Sequence, residues 1–446
     1  MSSLARTLGL RDLTLLIIGS VIGSGIFASP GAVLRGVEGF AGLALLVWLV
    51  GGVLSLLGAL TYGELSAMRP KAGGLYVYIR DCFGHFPAFM FGWTLFLVIS
   101  SGTIATLAVI FSGYLSAIVP INQTIAKVIS VLLIIVIMLI NVFSTRKSAD
   151  MQNITTVIKV GAIVVMSAIL LALGSGGGET MASLWPPTTD WSVASGFGAA
   201  MISVLWAYEG WQYGTYSAGE TINAERNYPL AFLMGLAALI IVYLLANVAY
   251  LAALGPAAAT QTDRIAADSM MAMVGPTAAK VITIPILISI FSAANSTLLT
   301  APRVFYAMAQ DGLFFKKLAE VHPRFGTPAF AIIAVSLWST VLSLNGTFQE
   351  LLTFVVFIGW IFYALAAACV FVYRRREPEL ARPYKVPGYP LTPILFILSA
   401  IALIVNTIIT QDPKKTSIAL GIVLLGAPAY LIWRSGSKTP VAETES

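Results

Sequence analysis

Charged residues are scarce in this sequence. They make up only 10% of the 446 residues, while 58% are hydrophobic, and soluble globular proteins carry about 25% charged residues. Such a composition excludes an ordinary soluble enzyme. Uncharged runs long enough to cross a bilayer, which takes about 20 apolar residues in a helix, recur along most of the chain. The composition therefore predicts an all-α polytopic membrane protein.

Cysteine and histidine are nearly absent, with two of each. Cys82 and Cys369 offer neither a disulfide framework nor the spacing of metal ligands. His85 and His322 both fall near the predicted ends of membrane spans. The chain therefore offers too few histidines to favour a zinc site or histidine-based catalysis. We expect no cofactor, no metal and no enzymatic activity.

The formal net charge of +6 reflects the placement of Lys and Arg rather than a nucleic-acid surface. Most of these residues fall on the side of the predicted membrane that holds the N-terminus, including the run 374–376 (RRR). Because cytoplasmic loops carry an excess of Lys and Arg, we expect both termini in the cytoplasm. The arginine run is then an anchor at a helix end, and no nucleic-acid partner is expected.

The apolar runs predict twelve membrane-spanning helices. Five lie in residues 11–173, five in residues 191–373 and two more in residues 391–433. Because each of the first two blocks holds an odd number of spans, the second block must run inverted relative to the first. The glycine-rich segment 174–178 (GSGGG) lies at their junction, where two repeats need a linker.

The first apolar run carries the sequence GSG at 23–25 in its middle. Glycine costs roughly 1 kcal/mol relative to alanine inside a helix, so the two glycines indicate a break. Non-helical backbone at membrane depth is tolerated only where it is buried in protein or lines a cavity. The amides of Ser24, Gly25 and Ile26 would face that cavity from a helix N-terminus, which favours the α-carboxylate of a small substrate. Close helix packing through small residues is the alternative.

The sixth apolar run has a matching break at 208–211 (YEGW). Transporters built from inverted repeats place discontinuous helices at corresponding positions of their two halves, with the binding site between them. Because both breaks fall in the first span of a five-helix block, they favour a binding site over simple close packing.

Several motifs resemble the L-type amino acid transporter branch of the amino acid–polyamine–organocation superfamily. They are 23–27 (GSGIF), 62–78, 206–211 (WAYEGW), 295–312 and 382–386 (RPYKV), in the order in which the family carries them. The resemblance implies a leucine-transporter-like fold, with a 5+5 inverted repeat, broken helices 1 and 6, and two additional helices. It also implies alternating access, usually with exchange of neutral amino acids, and a short extracellular lid helix near 263–274.

The resemblance also implies a set of site residues. The substrate carboxylate would meet the first break, its ammonium would meet carbonyls on both breaks, and part of the tenth helix would face the pocket. The residues predicted to bind substrate are Val21, Ile22, Gly23, Ser24, Gly25, Ile26, Trp206, Ala207, Tyr208, Glu209, Phe357, Gly359 and Trp360. Trp206 is a candidate thin gate over the substrate, and core packing is its alternative role.

Lys159 is the only lysine deep in a predicted span. A charge within the membrane costs several kcal/mol and indicates a functional site by default, although snorkelling to the interface is an alternative. The family shares this lysine, which implies that its ammonium replaces the cation of sodium-coupled relatives. We expect Lys159 to link the first break to polar groups such as Ser292, Asn295 or Ser296, and transport to be independent of sodium.

Glu209 lies in the second break, where the family more often carries a small residue or a shorter acid. Among apolar residues its carboxyl favours the protonated form unless a cation pairs with it. Three roles stay open: proton carrier, counter-charge for a substrate ammonium, and polar lining of a wet cavity. Glu64, at the cytoplasmic end of the second span, is expected to pair with a loop arginine.

The sequence therefore predicts a sodium-independent exchanger of small neutral L-amino acids in the lipid bilayer. A proton-coupled symporter that uses Glu209 is the alternative, and a non-transporting amino acid sensor is the third. The cysteine through which animal members bind a heavy chain has no counterpart between Leu115 and Lys127. No disulfide-linked heavy chain is expected, and the location expected is a bacterial inner membrane.

Overall fold

The computed structural model describes residues 8–69, 73–116, 118–143, 145–174, 184–187 and 190–436, without the side chains of 145–150, 217–220 and 435–436. The predicted linker 174–178 therefore lies outside the described residues except for Gly174. The described chain is mostly helical. Its first helices are α1 (Leu10–Val21), α2 (Gly25–Gly36), α3 (Ala41–Met68), α4 (Leu75–Phe83), α5 (His85–Leu115), α6 (Gln123–Phe143) and α7 (Thr145–Leu173).

A second series of helices follows the linker. It comprises α8 (Trp191–Ala207), a 3₁₀ segment (Trp211–Glu220), α9 (Ala224–Ala259), α10 (Ile265–Met273), α11 (Pro276–Gln310), α12 (Ala329–Asn345), α13 (Phe348–Arg376), α14 (Leu391–Thr410), α15 (Pro413–Leu424) and α16 (Gly426–Gly436). Side-chain caps start several of them. The carboxylate of Asp190 accepts hydrogen bonds from the first amides of α8, and Thr347 and Glu350 form a capping box at α13.

Nine helices of the described chain are long and apolar enough to cross a membrane, and the bent pair α1 and α2 makes a tenth span. The polytopic all-helical architecture predicted from composition is thus confirmed. Two further apolar helices, α8 and α12, have 17 residues each, at the short end of the range that spans a bilayer, about 17–25 residues. The count of twelve and the inverted repeat stay predictions.

The first predicted break separates α1 from α2, whose axes differ by 47°. Helix α1 ends at Val21, Ile22 is extended, and α2 begins at Gly25 with Ser24 as its N-cap. Among the described backbone hydrogen bonds, the first in α2 run from the amides of Phe27 and Ala28 to the Ser24 carbonyl. The amides of Gly25 and Ile26 therefore form the open N-terminus of α2.

The second predicted break separates α8 from the 3₁₀ segment at 208–210. Gly210 has a φ of +118°, and a Cβ there would lie 2.6 Å from the Ser20 carbonyl oxygen. A Cβ on Gly25 would lie 2.5 Å from the Cβ of Ala207. The two breaks therefore touch backbone to backbone, and only glycine at 25 and 210 allows that approach.

Other helices surround this contact. Helix α1 packs against α7, α9 and α11, while α2 packs against α8. Helix α13 lies against α5, α8 and α14. The short α10 lies in the segment predicted to form a lid and packs against α2 and α11. These elements bury both breaks inside the protein.

Candidate binding site

A narrow cavity of about 20 Å³ lies between the two breaks. The first break, the second break, α5 and α11 all contribute to its walls. The lining residues are Ser20, Val21, Gly23, Ser24, Gly25, Thr103, Leu107, Trp206, Glu209, Tyr213, Ala293 and Thr297.

The first break gives this central cavity an anion-binding end. Ser24 and Gly25 line it at the N-terminus of α2, where free amides and the helix dipole favour negative charge. The indole Nε1 of Trp206 donates to the Ser24 hydroxyl over 3.3 Å. Trp206 thus joins the two breaks directly above the cavity wall that Ser24 forms.

Glu209 supplies the only carboxylate among the described lining residues. Its Oε1 accepts a 2.5 Å hydrogen bond from the Tyr363 hydroxyl and a second from the Gln212 amide, which also donates to Tyr363 over 2.8 Å. No Lys or Arg of the described chain forms an ion pair with it. Two neutral donors therefore hold one carboxyl oxygen of Glu209 while the side chain borders the cavity.

Lys159 lies behind the first break, fully buried, on α7. Its ammonium donates to the carbonyl oxygens of Gly19 and Ile22, both over 2.7 Å, and to the Ser292 hydroxyl over 3.3 Å. Ser289 donates to the Ile22 and Gly23 carbonyls over 3.1 Å. The lysine therefore closes the C-terminal end of α1 and joins it to α11, but does not line the cavity.

The three polar residues predicted beside Lys159 divide into two groups. Ser292 contacts the lysine and also bonds Gln152 and Thr155 of α7, both over 2.9 Å. Ser296 instead pairs with the Ser20 hydroxyl over 2.7 Å, and Asn295 accepts from Asn141 of α6 over 2.8 Å. All three tie α11 to its neighbours, but only Ser292 bonds the ammonium among the described contacts.

The expected tenth-helix residues do not border the central cavity. Phe357 faces a second cavity, Trp360 packs on Phe396 with ring centroids 5.2 Å apart, and Gly359 lies beside Tyr363 of its own helix. Gly359 and Trp360 lie about one turn before Tyr363 on the same face of α13, but it is the longer Tyr363 side chain that reaches Glu209. Of the other predicted substrate residues, Val21, Gly23, Ser24, Gly25, Trp206 and Glu209 line the cavity, while Ile22, Ile26, Ala207 and Tyr208 do not.

Several lining residues carry no sequence signal of their own. Thr103, Leu107, Ala293 and Thr297 lie within uninterrupted helices, where a small or polar residue is equally suited to helix packing. Tyr213 follows the second break by three residues, so proximity to the break was its only signal.

Ion pairs hold the chain on both sides of the cavity. At the end of α2, Arg35 pairs with Asp263 over 2.5 Å and donates to the Thr260 carbonyl. At the opposite end, Arg80 of α4 donates to both oxygens of Asp311. Burial lowers the pKa of the Arg80 guanidinium, but the hydrogen bonds and charge of Asp311 outweigh burial, so its pKa is raised.

Glu64 is fully buried at the same end of the protein as Arg80. Both of its oxygens accept from Arg374, over 2.8 and 2.7 Å, and Oε2 also accepts from the Val386 amide over 2.7 Å. The carboxylate thus joins α3, the end of α13 and the linker to α14. The predicted pairing of Glu64 with an arginine is present, although Arg374 lies on the helix and not in a loop.

Glu64→Gln is expected to destabilise the protein measurably. Removing one partner of a buried pair costs about 3–5 kcal/mol; because the Glu64 and Arg374 side chains are 0% and 21% exposed, we expect a somewhat smaller loss. The matched control is Asp263→Asn, whose side chain is 79% exposed and whose ion pair contributes about 0–1 kcal/mol. Thermal unfolding in detergent should give a clearly lower Tm for Glu64→Gln alone. Equal Tm values for the two variants would contradict the role of Glu64.

Comparison with known proteins identifies the family of this chain. The amino acid permease family matches residues 8–427. The serine/threonine exchanger SteT of Bacillus subtilis (strain 168) is 33% identical over 435 residues, covering 96% of this chain and 97% of SteT. The human b(0,+)-type amino acid transporter 1 is 32% identical over 97% of this chain and 88% of its own length. The human cystine/glutamate transporter is 31% identical over 96% of this chain and 86% of its own length.

These matches cover both breaks, Lys159 and Glu209 in one continuous alignment range. They confirm the resemblance that the motifs predicted. Together with the apolar helices they show an integral membrane protein that transports amino acids and is not an enzyme. The chain belongs to the amino acid permease family.

Proposed function

We propose that the protein exchanges small neutral L-amino acids across the membrane by alternating access, without sodium. The observation that carries the proposal is the central cavity between the two breaks, with the open N-terminus of α2 on one side and Glu209 on the other. A substrate with one carboxylate and one ammonium matches those two ends. SteT, which is named a serine/threonine exchanger, matches this chain over nearly its whole length, and this match supports exchange.

The lining supports a small, neutral side chain. Val21, Leu107 and Ala293 give apolar walls, and Thr103 and Thr297 add hydroxyls. Neither Lys nor Arg occurs among the described lining residues, and Glu209 is their single acid. A second charge on the substrate would therefore lack a partner in the cavity.

The contacts of Lys159 support the proposed independence of sodium. Its ammonium already satisfies the Gly19 and Ile22 carbonyls and contacts Ser292. Carbonyl and hydroxyl oxygens are the ligands that a bound sodium ion would need, and a fixed positive charge repels a second cation from them. We infer that the covalently fixed ammonium replaces a coupling ion at this position.

Uptake into proteoliposomes tests the proposal. Labelled serine, alanine, leucine and arginine are offered to vesicles that are empty or preloaded with unlabelled serine, in sodium or choline buffer. Exchange predicts uptake of the neutral amino acids only into preloaded vesicles, with equal rates in both buffers. A requirement for sodium would contradict the role of Lys159, and binding without any uptake would favour a sensor.

Proton symport is the second candidate because Glu209 is a buried carboxyl at the cavity with no cationic partner among the described residues. Glu209→Gln keeps the shape and hydrogen-bonding capacity of the side chain but cannot bind or release a proton. If Glu209 is only a counter-charge or lining, the variant is expected to lose affinity at every pH and to keep the wild-type pH profile of exchange.

The same variant separates the two candidates. Concentrative uptake into empty vesicles that an uncoupler abolishes, and that Glu209→Gln removes, would establish proton symport in place of exchange. Glu320→Gln, at an exposed position that lines neither described cavity, is the matched control for removing a carboxyl.

Three further expectations accompany the proposal. We propose that the protein lies in a bacterial inner membrane with both termini cytoplasmic, as the distribution of Lys and Arg indicates. It acts without a disulfide-linked heavy chain, because the sequence between Leu115 and Lys127 holds no cysteine. Cysteine accessibility labelling of single-cysteine variants on intact cells tests the orientation.

A further inference from the structure

A second cavity, of about 90 Å³, lies between α13, α14 and α15. We call it the peripheral cavity. It shares no lining residue with the central cavity and lies where α13 and α15 begin and α14 ends. Its lining residues are Gln349, Glu350, Thr353, Phe354, Phe357, Thr407, Gln411, Lys415 and Thr416.

Opposite charges meet at the peripheral cavity. The Lys415 ammonium donates to Glu350 Oε1 over 2.6 Å. Glu350 Oε2 accepts from the hydroxyl and amide of Thr347 over 2.8 and 3.2 Å, so the α13 capping box fixes the carboxylate in place. Lys415 lies on a different helix and has no such second restraint among the described contacts.

The ion pair is easily opened. The Glu350 and Lys415 side chains are 35% and 49% exposed, and exposed pairs of this kind contribute about 0–1 kcal/mol. A ligand that offers its own ammonium to Glu350 and its own anionic group to Lys415 would replace one ion pair by two. A simple cation or a simple anion would satisfy one of these residues and leave the other without its partner.

The rest of the lining suits the body of such a ligand. Phe354 and Phe357 give an apolar wall, and an ammonium near aromatic rings gains further attraction. The amides of Gln349 and Gln411 provide both donors and acceptors next to the charges. The cavity thus combines apolar surface with a few convergent polar groups, which is the usual composition of a ligand site.

We propose that the peripheral cavity binds a small zwitterion that carries a primary ammonium and an anionic group. Two sources present this chemistry: a free α-amino acid, and the headgroup of phosphatidylethanolamine in the surrounding bilayer. The ammonium binds Glu350, and the carboxylate or phosphate binds Lys415. This site is separate from the transport site and does not depend on the proposed exchange.

Its position connects it to the transport site through one helix. Phe357 and Tyr363 are six residues apart on α13, which places them about a third of a turn apart around the helix axis. Phe357 lines the peripheral cavity, while Tyr363 holds Glu209 at the central cavity. A zwitterion at the peripheral cavity therefore acts on the helix that positions Glu209.

Two variants and a matched control test the proposal with the full chain. Thr353→Trp fills the peripheral cavity, and Lys415→Gln removes its cationic partner. Thr410→Trp, on an exposed position of α14 outside the cavity, controls for adding an indole at a helix end. Binding of labelled serine is measured at equilibrium in nanodiscs of phosphatidylcholine, and retention of phosphatidylethanolamine is counted by native mass spectrometry from mixed nanodiscs.

The two measurements distinguish the sources. A second equivalent of serine on the wild type and on Thr410→Trp, lost in Thr353→Trp and weakened about tenfold in Lys415→Gln, identifies a free amino acid. Retention of phosphatidylethanolamine with the same dependence on the variants identifies the lipid. If neither ligand binds in addition to the central site, or if binding persists unchanged in Thr353→Trp, the proposal is wrong. Proteoliposome uptake by Thr353→Trp reports separately on the central site.

Discussion

Lys159→Met is expected to reduce amino acid uptake at least tenfold while the protein remains folded. The variant removes two 2.7 Å hydrogen bonds to the carbonyls at the end of α1 and the contact with Ser292. Hydrogen bonds to a charged group contribute about 1.5–3 kcal/mol each, and a 1.4 kcal/mol change is about tenfold in an equilibrium or rate. The variant removes the link from α7 to the end of α1, while the hydrogen bonds of Ser289 to the Ile22 and Gly23 carbonyls remain.

The effect of Lys159→Met on stability should be much smaller than its effect on transport. The ammonium is fully buried and forms no ion pair with a carboxylate in the described chain. Replacing it removes a large desolvation penalty but also removes the hydrogen bonds to the Gly19 and Ile22 carbonyls, of which Ile22 keeps its bond from Ser289, and these terms oppose each other. Methionine has a similar length and fills the same space.

The measurement compares uptake, serine binding and Tm. Because Lys159 does not line the central cavity, binding should change less than uptake. Lys127→Met is the matched control, since Lys127 is exposed at the start of α6, and it should change none of the three quantities. Wild-type uptake by Lys159→Met would show that the lysine is a structural residue without a role in translocation.

The breaks were predictable because glycine has a strong local effect. The GSG sequence separates α1 from α2 at the expected position, and α8 ends at the YEGW sequence as expected. Lys159 was predictable for a different reason: a lone charge in an apolar run needs partners, and backbone carbonyls exposed by a neighbouring break can provide them. Local composition is sufficient in both cases.

The walls of the central cavity were less predictable, since they depend on helix register. A continuous helix such as α13 gives no local signal of which face meets the second break. The resemblance suggested Phe357, Gly359 and Trp360, whereas Tyr363 is the residue that bonds Glu209. The Asn141–Asn295 hydrogen bond joins residues 154 positions apart, and only the packing of α6 on α11 brings them together.

Uptake is also expected to fail in Gly25→Ala, through a purely steric effect. The added Cβ would lie 2.3 Å from the Cα, 2.5 Å from the Cβ and 3.1 Å from the backbone nitrogen of Ala207. Overpacking of this kind costs about 1–3 kcal/mol, and the backbone atoms involved cannot move aside as a flexible side chain can. The contact between the two breaks would open, and the N-terminus of α2 would shift away from the cavity.

A glycine elsewhere in the membrane provides the control. Gly161 lies on α7, two residues after Lys159, and a Cβ there would meet nothing within 4 Å. Gly161→Ala is therefore expected to keep wild-type uptake and to be neutral or stabilising, because alanine is favoured over glycine in a helix by up to about 1 kcal/mol. The comparison separates a steric effect at the break from a general effect of adding a methyl group.

A second substitution, at Ala207, tests whether the clash with this residue causes the effect of Gly25→Ala. Ala207→Gly removes the methyl group opposite Gly25, so the double variant Gly25→Ala, Ala207→Gly should recover part of the serine binding that Gly25→Ala loses. Recovery should be small because the Cα and nitrogen of residue 207, which lie 2.3 and 3.1 Å from the added Cβ, stay in place. Coupled effects are expected of residues in direct contact and additive effects of separate ones. Strict additivity of the two substitutions would show that the close approach of the breaks does not control the site.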